Sequence, residues 1–108
     1  MVLCVSSKYE QKYYLNEDFE NLPASIQREL QILCVLFTED IGGILTLEFD
    51  SAGNLHFITA ANEDDLLYDD IGSALKIKQI RESKRELLEA LETYYKVFFL
   101  GESFDVED

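Results

Sequence analysis

The hydrophobic side chains of residues 23–41 repeat with the spacing of an amphipathic helix. Successive members fall at i, i+4, i+7, i+8, i+11 and i+15, along one side of a helix: Ile26, Leu30, Leu33, Cys34, Phe37 and Ile41. Pro23 suits the first turn of such a helix, and Gly42 and Gly43 suit its end. The pattern predicts a helix from about Pro23 to about Ile41, with its apolar side in the core.

The next stretch alternates apolar and polar residues, as a strand does when only one of its sides is buried. Residues 44–49 and 55–60 alternate in this way, and the Asp-Ser-Ala-Gly-Asn segment 50–54 has the composition of a turn. These residues predict a β-hairpin. Near the start of the chain, the apolar run 2–5 predicts a buried strand, and the tyrosine-rich segment 9–15 favours either a second strand or an irregular arm.

The C-terminal third returns to helical spacing. Its apolar residues recur at intervals typical of a helix: Leu67, Ile71, Leu75, Ile80, Leu87, Leu88, Leu91 and Phe98. Gly72 and Ser73 weaken the first part, while Ser83 and Glu86 match the S-x-x-E pattern of a capping box ahead of Leu87. One long helix stays an alternative, but the pattern favours two helical segments stacked with a kink.

Together these elements predict an α+β fold. The first helix and the C-terminal helical pair pack on one face of a small antiparallel sheet, which is built on the 44–60 hairpin and can be extended by the N-terminal strand. With 108 residues, 47% of them hydrophobic, the chain can bury a core without disulfides or metal ions. Residues 1–108 are therefore assigned to a single domain, with the tail from about residue 102 expected to fray.

The acidic surplus of the chain excludes some classes of partner. Twenty-two acidic residues against nine basic ones leave a net charge of −13, which repels nucleic acid and anionic membranes. No apolar run approaches the roughly 18 residues that a membrane span requires. The first residues also lack the pattern of a signal peptide. We therefore expect a cytoplasmic protein that binds neither nucleic acid nor membrane directly.

A short basic island interrupts this acidic sequence. Residues 76–85 hold five basic side chains and one acidic one, and the basic ones could receive an acidic partner or a phosphate: Lys76, Lys78, Arg81, Lys84 and Arg85. Lys78 with Glu82 and Arg85 with Glu89 have i,i+4 spacing, which predicts ion pairs that partly neutralise the island. The pattern favours a solvated helix face over a binding site.

Four strings along the chain resemble a family of short uncharacterised proteins from Firmicutes, a domain of unknown function: QKYYLNEDF, CVLFTEDIGG, DDIGSALKIK and LLEALETYYKVFFLGE. The likeness extends over almost the whole chain. It implies a bacterial cytoplasmic protein. It assigns no functional residues, because the family has no assigned activity.

Few residues of the chain invite catalytic chemistry. His56 is the only histidine, which excludes a multi-histidine metal site within one chain, and it falls on the less buried side of the hairpin. Cys4 and Cys34 lie in apolar segments and form no CxxC pair, so we expect reduced core cysteines. Gly42 and Gly43 follow a helix instead of a strand, the reverse of a phosphate-binding loop.

The densest group of carboxylates lies between the hairpin and the last helices: Glu63, Asp64, Asp65, Asp69 and Asp70. Carboxylate oxygens are the ligands that Mg²⁺ and Ca²⁺ prefer. The spacing nevertheless fails the EF-hand pattern, and acidic residues are also favoured at a helix N-terminus. The cluster therefore predicts a solvated loop and helix start. We assign no catalytic, cofactor-binding or metal-binding residue.

The segment 94–100 departs from an ordinary amphipathic helix, because its apolar groups point nearly all round the helix axis. Such a segment either enters the protein's own core or meets a partner. We favour a non-enzymatic interaction or assembly module, a homodimer, in which these side chains form the interface: Tyr94, Tyr95, Phe98, Phe99 and Leu100. The alternatives are an acidic binder that mimics nucleic acid toward a basic protein, and an enzyme of unrecognised type.

Overall fold

The computed structural model of the chain describes residues 1–102 and has the α+β fold that the sequence predicts. The strands are β1 (Val2–Ser7), β2 (Lys12–Leu15), β3 (Ile44–Phe49) and β4 (Leu55–Ala60). The helices are α1 (Ala24–Ile41), α2 (Asp70–Ser83) and α3 (Arg85–Phe98), and a 3₁₀ helix spans Glu17–Phe19. Most of the tail predicted to fray, residues 103–108, lies outside the described residues.

The four strands form one antiparallel sheet in the order β2-β1-β3-β4. Both N-terminal segments are thus strands, and the second one begins only at Lys12. The register aligns Leu15, Cys4, Leu47 and Phe57 in one row across the sheet. Because paired residues share a face, this row marks the side that carries the core.

Helix α1 covers that core face with the apolar stripe that its sequence predicts. Five residues of the helix are buried: Leu30, Leu33, Cys34, Phe37 and Thr38. The helix starts after Pro23 and ends at Gly42, whose φ of 89° lies in the left-handed region that glycine adopts without strain. The predicted bounds of this helix are confirmed.

The C-terminal third consists of two helices, as the sequence favours, but the predicted capping box does not form. Helix α2 continues to Ser83 and α3 begins at Arg85, so only Lys84 separates them. Lys84 is the N-cap of α3 and makes no side-chain capping hydrogen bond. An N-cap residue must lie outside the helices that it borders. Ser83 still belongs to the last turn of α2, so its hydroxyl does not cap α3.

Within residues 1–102, no helix covers the opposite face of the sheet. Its central row consists of Tyr14, Val5, Thr46 and Ile58, which the strand register places side by side. Tyr14 and Ile58 are exposed, and the other two are half-buried. The described part of the chain therefore forms two layers, with α1, α2 and α3 on the core side.

Candidate functional site

Helix α3 divides the aromatic segment between the core and the surface. The Tyr95 side chain is only 7% exposed and stacks on Phe49 of β3, with ring centroids 4.2 Å apart and planes 7° from parallel. The half-buried Phe99 stacks on Tyr95 at 5.1 Å. The inner side of α3 is thus held to the sheet by stacked rings.

Phe19 completes this aromatic cluster, and no pattern in the sequence singles it out. It is fully buried and lies 4.8 Å from Phe99 between ring centroids and 5.7 Å from Phe49. Asn16 positions it, because its Oδ1 accepts a hydrogen bond from the Asp18 backbone N–H and its Nδ2 donates to the Val2 carbonyl. The asparagine ahead of an acidic turn is the only local signal for this 3₁₀ helix.

The outer side of α3 carries an exposed apolar stripe. A shallow depression of about 540 Å³ is lined by Ala90, Thr93, Tyr94, Val97 and Phe98, at i, i+3, i+4, i+7 and i+8. The Phe98 side chain is 71% exposed, and its ring centroid lies 4.7 Å from that of the half-buried Tyr94. We call these five residues the outer stripe. Among residues 1–102, no charged side chain lines the depression.

The end of α3 rests on the turn of the hairpin. Gly53 has a φ of 89°, and a Cβ built on it would lie 2.7 Å from the Lys96 Cγ and 3.3 Å from the Leu100 Cδ1. Only glycine fits both the conformation and the close approach at this position. Leu100 therefore buries part of its side-chain surface against the hairpin turn of its own chain.

Of the five residues predicted as an interface, the structure places Tyr95 and Phe99 toward the core and leaves Phe98 outward. Tyr94 lies between the two sides, half-buried, and Leu100 is 37% exposed beside the turn. The interface itself stays a prediction. Its exposed part is the outer stripe, in which Ala90, Thr93 and Val97 join the predicted residues.

His56 closes the hairpin turn. Its Nε2 lies 2.7 Å from the Asp50 Oδ2, and both side chains are partly exposed. The Asp50 carboxylate also accepts backbone hydrogen bonds from Ala52 and Asn54, each at 2.9 Å. The His56 hydrogen bond, followed by the Asn54 backbone hydrogen bond, lowers the pKa of Asp50 well below its usual range. The pair is built into the turn, where its bonds hold the two strands together.

The two cysteines meet in the core, although thirty residues separate them in the chain. Cys4 on β1 and Cys34 on α1 are fully buried, with their Sγ atoms 3.7 Å apart. The hydrogen bond with Cys4, together with burial, raises the pKa of the Cys34 thiol. The prediction of buried core thiols is confirmed, whereas their contact could not be predicted from the sequence pattern.

The acidic cluster serves the loop and the start of α2. Asp69 is the N-cap of that helix and accepts a hydrogen bond from the Gly72 N–H at 3.0 Å. Asp65 accepts one from the Tyr9 hydroxyl at 2.6 Å, and this bond raises the pKa of Tyr9. Within residues 1–102, no group of three or more histidine, cysteine or carboxylate side chains could hold a metal ion.

The basic island makes its contacts between elements, which corrects the i,i+4 prediction. Lys76 pairs with Asp40 at 3.4 Å and Lys84 with Glu29 at 3.6 Å, both across to α1. Among the described residues, neither Lys78 with Glu82 nor Arg85 with Glu89 forms an ion pair. These surface side chains are long enough to reach the nearby carboxylates of α1, and a helix pair at this spacing contributes only about 0.3–0.5 kcal/mol.

The edge strand β4 is covered by side chains at its first residue. The Leu55 N–H donates to the Glu92 Oε2 at 2.7 Å, and Arg81 Nη2 donates to the Leu55 carbonyl at 3.1 Å. The Arg81 guanidinium also lies 4.9 Å from the centre of the Phe57 ring. Both polar backbone groups of Leu55 are thus unavailable to a strand of another chain.

Comparison with known proteins adds a family. Residues 1–103 match the family described as "Family of unknown function (DUF6145)". No curated protein and no solved structure matches the chain. In the described part of the chain, no helix has both the length and the apolar character needed to cross a membrane.

Proposed function

We propose a function for this chain, which belongs to the family of unknown function DUF6145, from the surface that its last helix leaves uncovered. The protein is a non-enzymatic assembly module that pairs with a second copy of itself through the outer stripe of α3. One observation supports this proposal above the others: an aromatic side chain, Phe98, is 71% exposed beside a depression that no charged side chain of the described residues lines. Exposed aromatic rings of this kind are typical of interface cores.

The spacing of the stripe is self-complementary. Phe98 lies four residues after Tyr94, and Ala90, the smallest side chain of the stripe, lies four residues before it. Four helical residues rise about 6 Å. In an antiparallel pair with its two-fold axis at Tyr94, the Phe98 ring of each copy therefore meets Ala90 of the other. In a two-fold interface this contact between a large and a small side chain forms twice, so both ends of the interface are closely packed.

The inner side of α3 supports this arrangement, because it holds the helix rigid. Tyr95 and Phe99 stack on the core, and the end of the helix rests on Gly53. A preorganised helix loses little conformational entropy on association. The exposed Phe98 side chain is the part of α3 that the partner would cover.

Charge opposes the pairing of two copies. Each carries −13, and the helix itself contributes carboxylates near its start. At physiological salt the Debye length is about 8 Å, so repulsion between distant surface charges is largely screened. The association should therefore be weak at low ionic strength and tighten as salt is added.

The test is the mass of the protein in solution, measured by light scattering across a range of protein concentrations. The native chain should approach twice its 12.5 kDa mass as concentration rises. Phe98→Glu should stay monomeric, because it places a charge in the apolar stripe. Leu75→Glu is the matched control, since Leu75 is also an exposed apolar residue on a helix, at 58% exposure. It should dimerise like the native chain.

Thermal melts separate loss of pairing from loss of folding. Phe98→Glu should keep a cooperative transition, because its side chain contributes little to the core. A native chain that stays monomeric at every concentration and salt level would contradict the proposal. So would a Leu75→Glu variant that dissociates while Phe98→Glu remains a dimer.

A cytoplasmic location belongs to the same proposal and rests on the cysteine usage of the sequence.

A further inference from the structure

A second concave surface lies where the turn between β1 and β2 meets α1. Its residues are distant from α3 in the sequence. This cleft has a volume of about 320 Å³, at the lower end of the range for small-molecule sites. Most of its lining residues carry a polar group, and they come from β1, the turn, β2 and α1. We call it the turn cleft. It shares no lining residue with the outer stripe.

The inner part of the turn cleft carries hydroxyl groups. Ser6 and Thr38 are 2% and 3% exposed, and their side-chain oxygens lie 2.8 Å apart in a hydrogen bond between β1 and α1. The Tyr13 hydroxyl is also buried, but it lies toward the Cys4 thiol of the core. The Ser6 and Thr38 hydroxyls therefore give the base of the cleft a polar character that suits a polar ligand.

Two lysines line the turn cleft of this acidic protein. Residues 1–75 contain three basic side chains, and two of them, Lys8 and Lys12, line this cleft. Neither forms an ion pair in the described part of the chain, whereas Lys76 and Lys84 both do. A long lysine stem also lets each ammonium group move toward a bound anion.

Gln11 supplies an independent observation. It is the only non-glycine residue with positive φ in residues 1–102, at 52°, and it lines the turn cleft. Glycine or asparagine would occupy this left-handed position at lower cost. Strained backbone of this kind is found at functional sites, where the side chain is needed in spite of the strain. The Gln11 amide can donate to an acceptor and accept from a donor.

We infer that the turn cleft binds a small organic anion. Its carboxylate or phosphate group pairs with Lys8 and Lys12, and the Gln11 amide hydrogen bonds to it. Glu39, which also lines the cleft, disfavours a second negative group on its side and accepts from a ligand hydroxyl or amine. The volume limits the ligand to a small metabolite.

Two probes distinguish the anionic group, inorganic phosphate and succinate, titrated into ¹⁵N-labelled protein at constant ionic strength. Tighter binding of one probe identifies phosphate or carboxylate as the preferred group. With either preference, the amide signals of Ser7, Lys8 and Gln11 should shift saturably in the millimolar range or below. Sodium chloride at the same ionic strength should give no saturable shift.

Variants decide whether the lining residues act as inferred. The double variant Lys8→Ala with Lys12→Ala should bind at least tenfold more weakly, and Gln11→Gly should bind several-fold more weakly while melting at a higher temperature. Lys78→Ala, an exposed lysine outside the cleft, should bind like the native protein. Two results would overturn the inference: saturation by neither probe, or unchanged binding in the double lysine variant.

Discussion

At the scale of single residues, the Asp50 carboxylate is the most connected polar group of the hairpin. It accepts backbone hydrogen bonds from Ala52 and Asn54 and lies 2.7 Å from the His56 ring. These groups favour the ionised form, which is why the pKa of Asp50 is lowered. A lowered pKa means that the carboxylate stabilises the fold above its unfolded pKa, and that this contribution is lost as the pH falls through the folded pKa.

His56→Ala should therefore raise the pKa of Asp50 toward its ordinary value of 3.8, because the largest cause of its lowering is removed. Carboxyl signals followed by NMR during an acid titration would give both values. The native protein should also lose more stability than the variant as the pH falls from about 5 toward about 3, because its fold holds the Asp50 pKa further below the unfolded value. An Asp50 midpoint that does not change on removal of the imidazole would contradict the assigned cause.

Gln11 gives a prediction of the opposite kind, an increase in stability. The left-handed conformation of Gln11 costs about 1–2 kcal/mol in a residue that has a side chain. Glycine avoids this cost, but its greater conformational entropy in the unfolded chain cancels part of the gain in stability. Gln11→Gly should raise the free energy of unfolding by about 0.5–1 kcal/mol in denaturant titrations. Gln11→Ala is the matched control and should bring no such gain. Equal stability of the two variants would show that the turn is not strained.

Individual residues are also where sequence reasoning reaches its limit. The burial of Cys4 and Cys34 could be predicted from their apolar neighbours, but their 3.7 Å contact depends on how α1 lies across β1. The burial of Phe19 depends in the same way on α3, which is distant in sequence. Local spacing carries no information about such contacts. They follow only from the arrangement of whole elements.

At the scale of elements, α1 tests the hydrophobic stripe directly. Leu30→Ala and Phe37→Ala should each lower the free energy of unfolding by about 2–5 kcal/mol, because both side chains are buried in the core. Gln31→Ala, one position along the same helix, should be nearly neutral, since Gln31 is exposed. Chemical denaturation measures all three. Comparable losses at Gln31 and Leu30 would mean that the wrong side of the helix had been assigned to the core.

Glu92 of α3 tests how the helices hold the edge of the sheet. Its carboxylate accepts the Leu55 N–H at 2.7 Å in a half-buried position. Glu92→Ala leaves this backbone donor without its partner and should lower the free energy of unfolding by about 1–2 kcal/mol. Glu89 is exposed on the same helix, so Glu89→Ala is the control and should change stability little. Faster hydrogen exchange at Leu55 in Glu92→Ala alone would confirm the contact.

Elements are the level at which the sequence predicts most. The spacing of Leu30, Leu33 and Phe37 and the alternation of the 44–60 hairpin are local patterns, and both elements form where they predict. The junction of α2 and α3 could not be predicted in detail. The pattern around Ser83 satisfies a capping motif, but the packing of both helices leaves only Lys84 between them. Tertiary packing overrides a local preference there.

At the scale of the whole molecule, the net charge of −13 opposes the proposed pairing and gives it a dependence on salt. Raising the ionic strength shortens the Debye length from about 30 Å at 0.01 M to about 3 Å at 1 M, so repulsion between two copies falls. The dissociation constant of the native dimer should therefore decrease as sodium chloride is added. Sedimentation equilibrium at several salt concentrations measures it. A pair that dissociates with added salt would indicate an interface made of opposite charges instead of the apolar outer stripe.

The candidate site illustrates the same limits at this scale. The sequence predicts that the apolar residues of segment 94–100 lie nearly all round the helix, so that one buried side cannot hold them all. The structure shows which of these side chains enter the core and which stay on the surface. Tyr95 stacks against Phe49, whereas Phe98 faces outward. The turn cleft had no local signal, because its residues come from β1, β2 and the turn between them, and from α1. It exists only once the sheet and helix have met.

The most direct measurement of the central proposal is an isotope-filtered nuclear Overhauser experiment on a mixture of labelled and unlabelled chains. Antiparallel pairing about Tyr94 predicts intermolecular signals between the Phe98 ring of one copy and the Ala90 methyl group of the other. Within one chain these residues lie eight positions apart on the same helix, about 12 Å along its axis, so the signal has no intramolecular source. Detection of that contact in the mixed sample is the result we expect. Intermolecular signals from Ile58 and Tyr14 on the uncovered sheet face, with none from Phe98, would contradict it.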